Sequence, residues 1–472
     1  MKIAIKTIIL SVFFTVAATV SAQVSTLYYM KTISTRHELN PAFQPSSNIY
    51  VQVPVLSGFY ITEGNNSLSL NDMFYTTNGQ LVNFLHPEYG NKDKFYKLLD
   101  NNVRFFAEFQ CDLLGVGVRK EDSYITLGIS QKINASMAVP KDFFKLMLYG
   151  TPDTTKVNSY DLKNFGINAN AYTEIAFGYS RNVDEQLTLG GKVKLLLGQA
   201  NVSVESSNLT LETSREKWIA RMNTEINMTL PTIDDYELDK NNEQIDEIIY
   251  KDNAGFGDYI KPAGIGGALD LGASYYMLED NRLHLSASVI DLGFIRWGSS
   301  KTAKMMIDGN FEFEGVELDV DENGEVSLGD FSETIDKFID SISYKTNIGD
   351  GYTRWIPAKI FLGAEYSFFE NRLTVGLLSK TTIVNKRLHE EITTSVNYLP
   401  VECFNASLSY SWVNGRRHFG LGLGGRLGIV NMYIAADYVP LNYSADFYPT
   451  HTKVFNLKGG IVLNFGNKEK EG

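Results

Sequence analysis

The chain has little of what stabilises small secreted domains or binds nucleic acid. Only 2 of its 472 residues are cysteine and 12 are proline, and Asp and Glu outnumber Lys and Arg by 55 to 43. Two cysteines exclude a disulfide-rich scaffold. Strand parity places Cys111 on an apolar face and Cys403 on a polar one, so a bridge between them is not expected. The acidic balance argues against nucleic acid as a partner, because phosphates require a basic surface.

Long apolar runs are also missing after the first residues. The run from Ile8 to Val20 follows Lys2 and Lys6 and ends in small residues up to Ala22. It is shorter than the roughly 20 residues of a membrane-spanning helix and has the layout of a secretory signal peptide. We therefore predict that residues 1–22 direct export and are cleaved after Ala22. Gln23 follows, so the predicted cut leaves no cysteine to receive a lipid.

Aromatic residues and glycine are abundant, with 28 Phe, 26 Tyr and 39 Gly. Apolar and polar residues alternate in many segments of strand length, for example 186–198, 267–278, 356–369 and 453–465. A strand that crosses a membrane needs about 9 to 11 such residues, and the signal becomes specific when it is repeated. Fourteen segments between residues 50 and 465 show it.

The connections between these segments distinguish a membrane barrel from a soluble sandwich. Every second connection is a short polar turn, whereas the others include the long stretches 62–102, 139–166, 201–263 and 299–355. Outer-membrane barrels have short periplasmic turns and longer external loops. We predict an all-β protein, a 14-stranded antiparallel transmembrane β-barrel with long extracellular loops in outer-membrane lipid. The expected divisions are a periplasmic or lumenal segment at 23–49, the barrel at 50–466 and a tail at 467–472.

Strand parity predicts which charged side chains face the lumen. Such residues could fill and rigidify the barrel as paired charges, or line a polar path with water between them. Because both signs occur in similar number, a wide open pore is disfavoured. The predicted lumen charges are Glu108, Asp112, Lys132, Glu174, Lys192, Lys194, Asp270, Lys359, Glu365, Lys380, Arg426, Asp437 and Lys458.

Two features of the loops have a structural and a functional interpretation. Phe143, Phe144, Leu146 and Met147 form an apolar cluster that either packs a loop or makes an external site for a hydrophobic ligand. Asp319, Asp321, Asn323 and Asp330 are similar to part of a calcium loop, although Gly324 in a hairpin turn explains the same residues. We expect no metal and no cofactor.

The segment before the first strand contains Arg36 and then Asn40-Pro41-Ala42. In that position these residues resemble the N-terminal segment of FadL-type fourteen-stranded barrels, including the Bacteroidetes branch similar to the type IX secretion proteins PorV and PorP. Together with Tyr-Ser-Trp-Val-Asn-Gly at 410–415 and Gly-Leu-Gly-Leu-Gly at 420–424, they also resemble an uncharacterised Bacteroidetes family, a domain of unknown function. The alternative is that Asn-Pro simply makes a turn.

The FadL resemblance implies a lumen closed by an N-terminal hatch, an external site for a hydrophobic ligand, and lateral escape of that ligand into the membrane. The favoured function is thus passive passage of a hydrophobic small molecule. The alternative is a non-transporting barrel that binds a secretion or cell-surface protein assembly. We do not expect an enzyme, since the sequence has no recognisable nucleophile elbow or zinc-ligand spacing.

Overall fold

The computed structural model of the protein describes residues 24–77, 80–150, 156–214, 217–239, 244–253, 255–277, 282–298, 301–314, 342, 344–384, 387–413, 416–439 and 453–466. The predicted signal peptide with its cut after Ala22, the tail 467–472 and the calcium-like residues Asp319, Asp321, Asn323 and Asp330 lie outside these ranges.

Strands dominate the described chain. In order they are β1 (Ile49–Gln52), β2 (Phe59–Asn65), β3 (Phe74–Thr77), β4 (Gln80–Asn83), β5 (Asn102–Lys120), β6 (Ser123–Pro140), β7 (Asn158–Asp161), β8 (Gly166–Asn182), β9 (Leu187–Thr213), β10 (Lys217–Thr229), β11 (Ile233–Leu238), β12 (Ile245–Tyr250), β13 (Gly264–Met277), β14 (Leu283–Trp297), β15 (Thr302–Glu314), β16 (Lys345–Ile348), β17 (Tyr352–Trp355), β18 (Ala358–Phe368), β19 (Leu373–Val384), β20 (Arg387–Val401), β21 (Phe404–Val413), β22 (Arg416–Leu427), β23 (Val430–Ala436) and β24 (Val454–Phe465).

The helices are short. Two 3-10 helices, Ser25–Tyr29 and Ser34–Glu38, precede the first strand, and the α-helices are α1 (Leu70–Met73), α2 (Lys92–Leu98), α3 (Lys141–Tyr149) and α4 (Phe256–Ile260). In the part of the chain that the structure describes, none of the helices has the length and apolar character needed to cross a membrane.

Antiparallel pairing closes the sheet on itself. The order around the barrel is β1/β2, β5, β6, β8, β9, β13, β14, β18, β19, β20, β21, β22, β23 and β24, and β24 pairs again with β1 and β2. Counting β1 and β2 as one interrupted strand, the barrel has fourteen strands, as the sequence predicts. Ile49 pairs with Val118 on one side and Phe465 on the other.

The two faces of the barrel differ in polarity. Outward side chains are apolar and exposed, for example Phe177, Val193, Leu271, Leu377 and Leu408, whereas inward side chains are mostly polar and buried. A closed sheet leaves no unpaired edge in lipid, and an apolar outer belt matches the hydrocarbon core. The alternation found in the sequence is therefore the lipid and lumen faces of one wall.

The first strand is interrupted at residues 53–58. Pro54 cannot donate a main-chain hydrogen bond, and Val55 has a φ of +68°. The interruption is still bonded to both neighbours, since Val55 N donates to Asp112 O (3.1 Å) and Ile461 N donates to Leu56 O (2.8 Å). The sequence alternation predicts one continuous strand over 50–61, whereas the structure has two, separated by residues 53–58, which we call the wall interruption.

A β-bulge changes the parity of β14. Leu269 pairs with Leu292 and Leu271 with Val289, so Asp270 opposes both Ile290 and Asp291. Asp291 has a φ of +59° and points inward, although simple alternation assigns it to the lipid face. The bulge thus adds a carboxylate to the lumen.

At the end of the barrel opposite the short turns, β9 continues into a sheet with β10, β15 and β16. Ala303, Met305 and Ile307 of β15 pack there with Ile233 and Ile248 of the hairpin β11–β12. A second cluster joins α2 and α3 to the ends of β5 and β6. The predicted long loops are therefore ordered structures over the described residues.

Candidate functional site

The N-terminal segment lies inside the barrel. Residues 24–48, which we call the plug, pack their two 3-10 helices against the inward faces of the wall, and Tyr28, Tyr29 and Met30 are fully buried. The Tyr28 ring stacks on Phe361 of β18, with ring centroids 5.6 Å apart. Aromatic side chains near the start of the chain thus fill the part of the lumen beside β18 and β19.

Hydrogen bonds attach the start of the plug to the last strands. The main-chain N–H groups of Ser25 and Thr26 donate to the Asp437 carboxylate at 2.7 and 2.8 Å. Ser25 Oγ donates to Glu391 Oε1 at 2.8 Å, and Thr26 Oγ1 lies 2.6 Å from Ser409 Oγ. Buried carboxylates that accept several N–H and O–H donors are well compensated for the loss of water.

Glycines of β22 make room for the plug. A methyl group added at Gly420 would lie 2.4 Å from Thr26 Oγ1, and one at Gly422 would lie 2.6 Å from Met30 Sδ. Gly424 also faces the plug, whereas Gly425 does not. The Gly-Leu-Gly-Leu-Gly run is therefore an alternation of leucines toward lipid and glycines toward the plug.

The Asn-Pro-Ala turn sits against β9, β13 and β14. Asn40 Nδ2 donates to the carbonyls of Ala273 and Ala287, both at 3.2 Å, and Ala42 N donates to Asn40 Oδ1 at 3.0 Å. A methyl group added at Gly272 would lie 2.1 Å from Asn40 Oδ1, and one at Gly190 would lie 2.4 Å from the Pro41 carbonyl carbon. The turn thus fits a surface of the wall that lacks side chains.

Arg36 stabilises the plug internally. Its Nε donates to Tyr28 O at 2.9 Å, and its guanidinium lies 4.4 Å from the centroid of the Phe43 ring. Arg36 therefore joins the first 3-10 helix to the residues after the Asn-Pro-Ala turn. Asn40 N donates to Arg36 O at 3.2 Å, so the four residues of the predicted motif, Arg36, Asn40, Pro41 and Ala42, lie together in the plug.

Lysines and carboxylates from neighbouring strands form the centre of the charged lumen. Lys194 Nζ lies 2.8 Å from Asp270 and 2.6 Å from Asp291, and Lys132 Nζ lies 2.7 Å from Glu174. Lys359 is close to Glu108 at 3.7 Å and to Asp291 at 3.8 Å. These side chains are buried, and charges of opposite sign compensate one another.

Other predicted lumen charges contact the plug or close polar neighbours. Lys458 binds Glu38 at 2.6 Å, Glu365 binds Lys31 at 3.1 Å, and Lys192 Nζ lies 2.7 Å from His37 Nδ1. Lys380 binds Glu391 at 2.7 Å. Asp112 accepts hydrogen bonds from Gln52 and Gln110.

Arg426 is the exception among the thirteen. It is half-buried beside the short turn after β22, where its Nε donates to Gly428 O at 3.0 Å. Strand parity does not predict that Asp291 faces the lumen, because the bulge turns it inward. Parity also does not apply to Lys31 and Glu38, which belong to the plug. Glu391 was also missed, although it lies on the inward parity of β20.

The plug contacts both sides of the wall interruption. Thr35 Oγ1 donates to Tyr433 Oη (3.2 Å), and that hydroxyl donates to Ser57 O (3.4 Å) within the interruption. His37 Nε2 lies 2.7 Å from Tyr50 Oη just before it, and Glu38 binds Lys458, which pairs with Tyr60 just after it. The second 3-10 helix therefore supports this part of the wall from inside.

Two small cavities lie between the plug and the wall. One cavity of about 50 Å³ lies beside the wall interruption, lined by plug and wall side chains that include His37, Glu38, Gln52, Asp112 and Lys192. A neighbouring one of about 10 Å³ extends beneath Pro41 and Phe43. A cavity needs about 10–15 Å³ of this kind of volume to hold one water molecule, so the larger one has room for a few waters.

The four residues of the predicted external apolar cluster pack against their loop neighbours. Phe144 and Leu146 are buried, while Phe143 and Met147 are partly buried against the same neighbours. Tyr149 Oη donates to Asp93 at 2.6 Å and joins α3 to α2. Burial and that carboxylate raise the pKa of Tyr149 to about 12, so the phenol keeps its proton above the pH at which an ordinary tyrosine ionises. Within the described ranges, neither cavity lies among these residues.

Metal ligation has no support in the described residues, where no group of three or more His, Cys, Asp or Glu side chains could hold an ion. Cys111 and Cys403 are both free thiols. Cys111 is buried in β5, whereas Cys403 lies in the exposed turn between β20 and β21 and not on an inward strand face.

Comparisons with known proteins give one family match and several distant structural likenesses. A family model described as "Family of unknown function (DUF5723)" matches residues 41–437. No curated protein matches the sequence.

Among solved structures, the toluene transporter TbuX of Ralstonia pickettii is 8% identical with a TM-score of 0.41, and the match covers 96% of this chain and 100% of that one. A FadL homologue of Pseudomonas aeruginosa is 11% identical with a TM-score of 0.42, covering 95% and 100%. The toluene transporter TodX of Pseudomonas putida is 10% identical with a TM-score of 0.39, covering 91% and 93%. Likenesses at this level support no statement about what this chain binds, and the barrel follows from its own strand pairing.

Proposed function

Because the chain belongs to DUF5723, a family of unknown function, its role has to be inferred from its own structure, and we propose that it is an outer-membrane barrel for passive passage of a small hydrophobic molecule. In this proposal the plug closes the lumen, and its movement opens a lateral exit at the wall interruption. A closed barrel with short turns at one end and long loops at the other supports the outer-membrane location.

The observation that carries the proposal is the contact between the plug and the wall interruption. Tyr433 joins Thr35 of the plug to Ser57 of the wall, and the Glu38–Lys458 pair lies at the next strand. If the plug moves, both supports are lost from a segment that already lacks a continuous ladder. Residues 53–58 would then be held by bonds to their two neighbouring strands, such as Val55 N to Asp112 O and Ile461 N to Leu56 O.

The surroundings of the wall interruption favour a hydrophobic passenger. Val55 and Leu56 are 60% and 56% exposed on the outer surface, so an opening there leads into lipid. The lumen beside it is ionic, with Asp112, Lys132 and Lys458 at or above the same level, so an apolar molecule there gains by leaving for the lipid. A polar solute would instead lose its hydration on entering the hydrocarbon. Lateral release therefore favours apolar molecules and excludes polar ones.

A reversible crosslink between plug and wall tests this passage. In a Cys111→Ala, Cys403→Ala background, Thr26→Cys with Ser409→Cys replaces two hydroxyls 2.6 Å apart and should form a disulfide. We expect oxidation to reduce uptake of a fluorescent long-chain fatty acid by cells at least tenfold, and reduction to restore it.

The matched control crosslinks the wall to itself. Thr393→Cys with Ser411→Cys joins β20 to β21, where the two hydroxyls are 2.7 Å apart. We expect oxidation of this pair to leave uptake unchanged. Unchanged uptake in the fully oxidised plug variant, or an equal loss in the control, contradicts the proposal.

A second candidate function is a non-transporting partner of a secretion or surface protein assembly. The tightly filled lumen and the sheet formed by β9, β10, β15 and β16 beyond the barrel favour it. A pull-down of the tagged barrel distinguishes the two. A stoichiometric protein partner, together with normal fatty-acid uptake in a deletion strain, would support this candidate and overturn passage.

A further inference from the structure

Three buried side chains in the lumen form a hydrogen-bonded row. Ser274 of β13 lies with its Oγ 2.8 Å from Nε2 of His284 on β14, and His284 Nδ1 lies 3.4 Å from Oε2 of Glu365 on β18. All three side chains are buried, between 1% and 5% exposed. The row is a hydroxyl, an imidazole and a carboxylate in that order.

Strand register fixes this geometry. Glu365 is directly opposite His284, and His284 is opposite Tyr276, two residues from Ser274. Directly opposite and diagonal neighbours on one face of a sheet are within side-chain reach. The Tyr276 ring also stacks on the imidazole, with centroids 4.4 Å apart and an angle of 15°. Three adjacent strands and one aromatic ring therefore hold the imidazole in place.

The order of the groups matches an activated nucleophile. A serine hydroxyl is a weak nucleophile unless a base within about 2.6–3.2 Å accepts its proton. A carboxylate that accepts the other imidazole N–H holds the base in the required tautomer and stabilises its charged form. Ser274, His284 and Glu365 occupy these three positions.

The plug covers this row. Its Phe43 ring lies 5.8 Å from the His284 ring, and its Lys31 ammonium pairs with Glu365 at 3.1 Å. Lys132 and Lys380 of the wall bind Glu174 and Glu391, but the lysine on Glu365 comes from the plug. The Lys31 side chain is 27% exposed, so only this side chain separates Glu365 from solvent. Movement of the plug would expose Ser274. It would also remove Lys31 from Glu365, so that the carboxylate interacts with His284 alone.

We propose that Ser274, His284 and Glu365 form a latent acyl-transfer site for a carboxylic ester. Ser274 Oγ forms a bond to the ester carbonyl carbon while its proton passes to His284 Nε2. The alkoxide then leaves with that proton, and water, deprotonated by His284, releases the acid and restores the serine. The site rests on the plug movement of the proposed function, but its chemistry does not require transport.

An alkyl fluorophosphonate tests the nucleophile on the purified full-length barrel. Ser274 Oγ would displace fluoride at phosphorus, and peptide mass spectrometry would locate the adduct. We expect slow labelling of the wild type and labelling at least tenfold faster in Asp437→Asn, which weakens the plug far from the row. Ser274→Ala should abolish labelling, and His284→Asn and Glu365→Gln should slow it at least tenfold.

A buried wall serine without an imidazole provides the control. Ser395 accepts a hydrogen bond from Asn397 at 3.2 Å, and Ser395→Ala should leave labelling unchanged. Trypsin cleavage after Lys31 reports independently whether the plug has moved. Absence of a Ser274 adduct in a variant whose plug is cleaved would show that the row is only a wall hydrogen-bond ladder, and so would equal labelling of Ser274 and Ser395. Labelling of Ser274 in a barrel that takes up no fatty acid would overturn the passage proposal but support the acyl-transfer site.

Discussion

At the scale of single residues, glycines of the wall contribute to seating the plug as much as the charged side chains do. The Asn-Pro-Ala turn fits because Gly272 and Gly190 have no Cβ where Asn40 and Pro41 approach the wall. On the opposite side, Gly420 and Gly422 leave the same kind of space for Thr26 and Met30. The plug is thus held between two surfaces of glycine, and its polar contacts orient it there.

Gly272→Ala should therefore loosen the plug. The new methyl group would lie 2.1 Å from Asn40 Oδ1, so the turn must shift and lose its hydrogen bonds to Ala273 and Ala287. We expect hydrogen exchange of residues 36–43 to rise at least tenfold, which corresponds to about 1.4 kcal/mol.

Gly267→Ala on the same strand is the control. Its added methyl group would meet nothing closer than Lys194 O at 3.5 Å, an ordinary contact. Equal exchange in the two variants would show that the close approach at Gly272 does not position the plug.

At the scale of elements, the wall interruption is stabilised by a serine in place of part of the ladder. Ser57 Oγ donates to Ile461 O at 2.5 Å and also accepts a hydrogen bond from Val53 N. One hydroxyl therefore satisfies a donor within the interruption and an acceptor on the next strand. This arrangement needs few residues, and its loss should be local.

Ser57→Ala should raise hydrogen exchange at residues 53–58 about tenfold, because a buried donor and a buried acceptor lose their partner at a cost of roughly 1–3 kcal/mol. Thr62→Ala is the comparison, since Thr62 Oγ1 donates to Phe455 O at 2.9 Å within a regular strand pair. There the ladder remains, and exchange should change less than threefold. A uniform rise along β1, β2 and β24 in the serine variant would argue against a local weak point.

The elements also show how far the sequence can predict the structure. Alternation with period two and alternating connection lengths predict fourteen strands, because lipid and lumen impose both patterns on every strand. The bulge that turns Asp291 inward breaks parity without a sequence signal. Ser274, His284 and Glu365 come from three strands, so their proximity depends on register and no short motif contains them. The depth of the plug was implied by resemblance, and its contacts with Glu391 and Asp437 depend on the closed barrel.

At the scale of the whole molecule, the outer face of the barrel contacts lipid and its inner face contacts the plug. Leu377→Arg on the outer face should destabilise the barrel by about 2–4 kcal/mol in vesicles, the cost of an arginine near the bilayer centre. Leu81→Arg is a matched change, because Leu81 is also strongly exposed but lies in the loop hairpin β3–β4. Urea unfolding in lipid vesicles measures both, and equal midpoints would contradict a membrane-embedded belt.

The contact between Ser25 and Asp437 joins residues 412 positions apart. A residue close to the predicted export signal therefore binds the end of β23, which is synthesised and inserted near the end of assembly. Until β23 and β24 close on β1 and β2, the plug has neither Asp437 nor Lys458 to bind. Seating of the plug should thus be among the last events in biogenesis, and a barrel still being assembled passes through a stage in which its lumen is unoccupied.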